Sequence, residues 1–135
     1  MQFIQQNASY IILTLIIVWM LWKRIIAPKL SGVKTISATD YMQMRRDPHI
    51  LVDVRQPGEW ASGHPTTAIH IPLGEIANRM HEISRDKPVI VICASGNRSA
   101  MAATKLAKGG VQQVYNFSGG MGAWRSAGLP TQSGG

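Results

Sequence analysis

Pro88-Val89-Ile90-Val91-Ile92 carries no charged or hydrogen-bonding side chain on either face of the strand it predicts. A strand that repels water on both sides must be covered on both sides. The architecture that does this is a mainly parallel sheet between two layers of helices. The flanking segments alternate as such a domain requires. Ser37-Ala38-Thr39-Asp40 predicts a capped helix that carries Tyr41, Met42 and Met44 and ends at Asp47-Pro48. Residues 50–54 (ILVDV) form a short β-branched run that reads as a buried strand. Gln56-Pro57-Gly58-Glu59-Trp60 leads into a brief helix that stops near Gly63. Residues 68–72 read as a second short strand, and residues 73–84 have helical spacing at Leu73, Ile76, Ala77, Met80 and Ile83. Residues 99–108 predict an Ala-rich helix closed by Gly109-Gly110, and residues 114–117 a last strand. A short helix around Ala123-Trp124 and a loose tail over 128–135 complete the chain. The fold class is therefore α/β.

Ligands of such sheets sit beyond the carboxyl ends of the strands. Cys93 follows the best central strand directly, so it falls at that edge. The next residues, Ala94-Ser95-Gly96-Asn97-Arg98-Ser99, form a short loop running into a helix. Inward-facing N–H groups of such a loop, with the helix amino terminus, make an anion cradle. A thiol at its start has its thiolate stabilised. Arg98 adds a forked cation for an oxyanion, and Gly96 permits a positive φ. These are the parts a thiolate needs to attack an anionic substrate. The plain alternative is an inert buried cysteine. Gly96, Asn97 and Arg98 immediately after it favour the reactive one.

Cys93 is the single cysteine, which excludes an intramolecular disulfide framework and a cysteine-based metal cluster and points to a reducing compartment. Apolar residues at 45% against 16% charged exclude a disordered chain. The net charge of +7 divides into three bases and no acid over residues 1–30, and eleven bases against seven acids over 31–135. The latter are scattered without interleaved aromatics, so no nucleic-acid partner is expected. His49, His64, His70 and His81 lack ligand spacing, so no metal is expected. Asp53 and Arg55 end a strand on the edge that carries Cys93. They either shape the site or form an ion-pair network with Glu59, and the spacing favours the network. Trp60 and Trp124 read as packing residues, and the methionines as core filler.

Residues 8–22 (ASYIILTLIIVWMLW) form an apolar run, and residues 2–22 have no charged side chain. The run is apolar all round, which predicts a membrane anchor over an interfacial or core helix. Fifteen helical residues reach only about 22 Å, so Ile25, Ile26 and Ala27 are needed in the hydrocarbon with Lys23 and Arg24 snorkelling. No small-x-small cleavage site marks a signal peptide. Lys23, Arg24 and Lys29 follow the run, which places the amino terminus outside and the rest in the cytoplasm. Pro28 ends the helix and residues 29–34 read as a linker. The expected organisation is residues 1–30 as a transmembrane helix with a basic flank, and 31–135 as the α/β domain.

The loop Cys93-Ala94-Ser95-Gly96-Asn97-Arg98-Ser99 resembles the active-site loop of rhodanese-like sulfurtransferases, C-x-x-G-x-R-S. Leu51-Val52-Asp53-Val54-Arg55 with Glu59 is similar to the family's D-V-R-x-x-x-E segment. Gly63-His64 with Ala68-Ile69-His70-Ile71-Pro72-Leu73 resembles its G-H-x-x-x-A-x-x-I-P segment. Gly119-Gly120 with Trp124, Gly128 and Pro130 resembles its closing G-G-x-x-x-W-x-x-x-G-x-P. The similarity covers residues 34–130. It implies a central parallel sheet with helices on both faces and a persulfide mechanism without metal or organic cofactor. The Cys93 thiolate would attack the outer sulfur of a donor such as thiosulfate, release sulfite, and pass the sulfur to cyanide or a thiol. Residues 94–99 would hold the donor's oxyanion.

Two departures from the family pattern lie away from the thiol: residues 65–67 lack the usual I-P-G, and His70 stands where Asn is common. Cys93 and Arg98 are separated by four residues. Related phosphatases and arsenate reductases have five, a wider cradle for a tetrahedral oxyanion, so the spacing favours attack on sulfur. Ala94 and Ser95 carry no charge to hold thiosulfate. No second cysteine resolves the persulfide, so the acceptor is external. The sequence therefore predicts a membrane-anchored sulfurtransferase. The rival is a persulfide carrier that receives sulfur from a partner protein at the membrane.

Overall fold

The computed structural model describes residues 2–23 and 33–134, and the chain divides into two units, residues 1–31 and 32–135. The first contains helix α1 (Gln2–Leu21), on which residues from Tyr10 to Leu21 expose apolar side chains all round. Among the described residues no helix is long and apolar enough to cross a membrane. The described residues therefore give no support to the expected single-pass anchor or to its inside–outside topology. The physical reason lies in the first turns. Gln2, Gln5, Gln6, Asn7 and Ser9 occupy much of the helix's 20 residues, so the apolar stretch begins only at Tyr10. The expected extension through Ile25–Ala27, the basic flank at Arg24 and Lys29, the stop at Pro28, the boundary at 30/31 and most of the linker lie outside the described residues.

The second unit holds five parallel strands: β1 (Val33–Ile36), β2 (Ile50–Asp53), β4 (Ile69–His70), β5 (Val89–Ile92) and β6 (Val114–Phe117), in the order β1-β6-β5-β2-β4. The all-apolar strand β5 is the central one, with every residue buried. Its side chains alternate between two cores, as the two-residue period of a strand dictates. Val89 and Val91 join Val52, Val54, Ile76 and the helix residues Ala102, Ala103 and Leu106. Ile90 and Ile92 join Leu51, Phe117, Tyr41, Met121 and Trp124. Each large aliphatic buried this way stabilises the fold by about 1.5–3 kcal/mol. Cys93 continues the odd parity and falls on the Val91 side.

The helices are α2 (Ala38–Met44), α3 (Pro57–Ser62), α4 (Ile76–Arg79), α5 (Asn97–Lys108) and α6 (Gly120–Ser126). Ser37 caps α2 as expected, its hydroxyl accepting the Asp40 N–H at 3.1 Å. Three expectations are corrected. Residues 73–84 are not one helix. A 3-10 turn (Leu73–Glu75), α4 and a second 3-10 turn (Met80–Glu82) share the span, because Arg79 leaves the helical region at φ −116, ψ 14. Residues 33–36, partly assigned to a linker, form edge strand β1. Lys34 and Thr35 are exposed, so the segment carries no apolar alternation to betray it. The tail is not wholly loose, since β7 (Thr131–Gln132) pairs antiparallel with β3 (His64–Pro65). Two-residue strands are too short to show a period.

Candidate active site

Strand β5 delivers Cys93 to the carboxyl edge of the sheet, and α5 starts four residues later. Between them Gly96 turns the chain at φ +102, a conformation that residues with a Cβ resist. The turn points the Gly96 N–H at the Cys93 sulfur, 2.9 Å away. The Ser99 hydroxyl lies 3.3 Å from the same sulfur. Cys93 and Ser99 are 0% exposed, whereas Ala94, Ser95 and Asn97 face solvent. Burial pushes the Cys93 thiol up. The Ser99 hydroxyl and the backbone N–H groups of Ser99, Gly96 and Ser95 outweigh it and leave the thiol below its ordinary value. The sulfur is thus buried like an inert cysteine but surrounded by donors like a reactive one.

A second chain segment closes the cradle from behind. Gly119 and Gly120 lead into α6, whose Met121 N–H donates to the Cys93 carbonyl at 2.9 Å. Gly120, at φ +56, lies against the Cys93 and Ala94 carbonyls, where a Cβ would come within 2.4 Å of both oxygens. From β6, Asn116 accepts the Ser99 hydroxyl and donates to the Gly96 carbonyl.

Arg98 is half-buried and not free. Its two terminal nitrogens donate to the two Glu59 carboxylate oxygens, at 2.7 and 2.9 Å. The Arg98 hydrogen bonds hold the Glu59 carboxyl far below the usual carboxylate range, at about 2. This corrects the expected network in which Glu59 serves Arg55. Arg55 is engaged by Asp53 instead: its Nε lies 3.0 Å from both carboxylate oxygens, and one terminal nitrogen donates at 2.8 Å. That nitrogen also donates to the Gly63 carbonyl at 2.6 Å. Both side chains are buried. Asp53 pairs with Ile92 in the sheet register, so the ion pair stands one strand from Cys93 and ties β2 to the entry of β3.

The rhodanese-like domain family matches residues 37–127 of the chain. The chain belongs to this family. Among its relatives, the thiosulfate sulfurtransferase GlpE of Pseudomonas entomophila is 35% identical over 97 residues, covering 72% of this chain and 89% of the relative. The uncharacterized protein YqhL of Bacillus subtilis is 43% identical over 74 residues, 55% of this chain and 59% of its own length. The chain thus spans little more than half of YqhL but most of GlpE. A rhodanese-related protein of Thermoplasma volcanium has a similar crystal structure, with a TM-score of 0.67 and 34% identity over 73% of this chain and 97% of that one.

Within this rhodanese-like domain, the structure brings Cys93, Gly96, Arg98 and Ser99 together with Glu59. Asn116 and Gly120 are part of the same cradle and were not singled out from the sequence. Asn116 sits in a strand with no distinguishing pattern, and Gly120 was read only as part of a closing signature. Trp60 packs as expected, stacked on His64 at 3.5 Å and on His70 at 4.7 Å between ring centroids. The His64 Nδ1–H donates to the Trp60 carbonyl, and Nε2 is buried without a partner among the described residues.

The Glu59–Arg98 pair carries a prediction. Both side chains are about a third exposed, so Glu59→Gln is expected to cost only about 1 kcal/mol at neutral pH. A carboxylate with a lowered folded value contributes stability above its unfolded value, and this is lost as pH falls through the folded one. The difference in urea midpoint between parent and variant should therefore be full above pH 4.5 and close as pH falls toward about 2. A gap that is unchanged at low pH would show that the pair is not its source.

Proposed function

We propose that the chain is a sulfurtransferase that carries sulfane sulfur on Cys93. The observation that supports this reading is a lone thiol whose sulfur receives the Gly96 N–H at 2.9 Å, at the start of a helix and at the carboxyl edge of the sheet. The relatives named thiosulfate sulfurtransferase support the same reading.

The thiolate attacks the outer sulfur of a donor such as thiosulfate. The new S–S bond forms as the old one breaks, and the bonding pair leaves with sulfite. The product is a Cys93 persulfide, and no external oxidant or reductant is consumed. A nucleophile such as cyanide or a thiol then attacks the outer sulfur and returns the thiolate. The N–H groups of Ser95, Gly96 and Ser99 act on the Cys93 sulfur and stabilise negative charge there. Cys93 is fully covered, so a donor reaches the sulfur only when that cover opens.

A specific observation favours a second reading, a carrier loaded by a partner protein. The terminal nitrogens of Arg98 are committed to Glu59, and Ala94 and Ser95 add no cation, so little charge is free to hold a small dianion. Turnover separates the two. With thiosulfate and cyanide, an enzyme releases sulfite and thiocyanate over many cycles. A carrier gives no more than one equivalent, but exchanges sulfur with a persulfidated protein.

A further inference from the structure

Asn116 lies one residue before the end of β6, beside β5, and its side chain reaches the Cys93 loop at two points. Its amide nitrogen donates to the Gly96 carbonyl at 3.2 Å, and its amide oxygen accepts the Ser99 hydroxyl. The amide cannot be turned round. The Gly96 carbonyl only accepts, so the nitrogen must face it and the oxygen must face Ser99. A hydroxyl has one proton to give. With that proton on Asn116, the Ser99 oxygen can only accept from Cys93, and the sulfur 3.3 Å away is placed to donate to it as a thiol. A thiolate needs the opposite arrangement, with the hydroxyl donating to sulfur.

We infer that Asn116 is a positioning residue that competes with the Cys93 thiolate for the Ser99 proton. It favours the thiol over the thiolate at rest, against the pull of the loop donors, while clamping the Gly96 turn. The inference rests on the reading of Cys93 as the nucleophile, and it adds a control on that nucleophile which neither Cys93 nor its loop contains. When the thiolate forms, the Ser99 hydroxyl turns from Asn116 to sulfur. The amide oxygen gives up that proton while the amide nitrogen still holds Gly96. The charged groups around the sulfur are Arg98 from α5 with its partner Glu59 from α3, and Asp53 with Arg55 at the end of β2. Changing Asn116 to a neutral residue leaves all of these in place, so its effect is read against a constant field.

The test is the pH dependence of Cys93 alkylation by iodoacetamide, followed by intact mass on the full chain. The single cysteine makes the signal unambiguous. Asn116→Ala is expected to move the midpoint to lower pH and raise the thiolate fraction below it roughly three- to tenfold, the range for the one neutral hydrogen bond that no longer competes. In a Ser99→Ala background the same substitution should give no downward shift, because there is no proton to compete for and the lost hold on the Gly96 turn can only raise the midpoint. If Asn116→Ala does not fold, Asn116→Val, suited to a strand, takes its place in both backgrounds. A midpoint that stays or rises with Ser99 present, or a downward shift that persists without Ser99, overturns the inference. Alkylation needs no sulfur donor. A chain inert to every sulfur donor that still shows the Ser99-dependent shift would reject the sulfurtransferase reading and leave the role of Asn116 standing. An active chain without the shift would do the reverse.

Discussion

Cys93→Ser is expected to melt with the parent chain and to take up no sulfur from any donor. The substitution is nearly isosteric, and the new hydroxyl inherits the Gly96 N–H and the Ser99 hydroxyl as partners, so no buried polar group is orphaned. The lost volume is less than a methyl group, and the stability change should stay within about 1 kcal/mol. Chemistry is another matter. An alcohol is not ionised at neutral pH and forms no persulfide, and the chain has no other thiol to substitute for it. Loss should therefore be complete rather than partial. Thermal melts and intact masses of the two chains side by side provide the check. Sulfur bound covalently to the variant would mean that Cys93 is not the carrier.

Gly120→Ala is expected to destabilise the domain by about 3 kcal/mol. Two costs combine: about 1–2 kcal/mol for a left-handed conformation with a Cβ, and about 1–3 kcal/mol for forcing an extra carbon into a filled space. Neither is easily relieved. The Cβ would meet the Cys93 and Ala94 carbonyl oxygens at 2.4 Å, and these are backbone atoms fixed by β5 and by the Met121 hydrogen bond. Whatever yields must move the segment that aims the Gly96 N–H at the sulfur, so the thiol should also become less reactive. Gly122→Ala, two residues along the same helix, has nothing within 4 Å of the new carbon and serves as the control, with a gain of up to about 1 kcal/mol. Equal urea midpoints for the two variants would mean that α6 does not support the loop in this way.

The contrast between these glycines shows what the sequence made legible. The central position of β5 followed from its lack of a polar face, and the placement of Cys93 followed from that. Ser37 and Gly96 declared themselves by residue type, one as a cap and one as a turn. Local patterns of this kind are written in neighbouring residues. The contacts that complete the site join residues distant in sequence, as Glu59 with Arg98 and Asn116 with Ser99 do, and no spacing rule reaches across them. Glu59 is four residues from Arg55, which suggested the wrong partner. Asp53 takes Arg55 because the bend after β2 folds the guanidinium back over it, leaving Glu59 free for α5. Edge strand β1 and the pair β3–β7 were illegible for a different reason, being too polar or too short to show a period. The apolar run in α1 was legible as composition, but its crossing length depended on residues that the described helix does not include.

The most direct test of the account is the intact mass of the full chain after incubation with thiosulfate and, separately, with a persulfidated donor protein, before and after reductant. The account predicts the gain of one sulfur atom from at least one donor, mapped to Cys93 and removed by reductant. An unchanged mass with both donors, in a chain whose Cys93 is still alkylated by iodoacetamide, would contradict it.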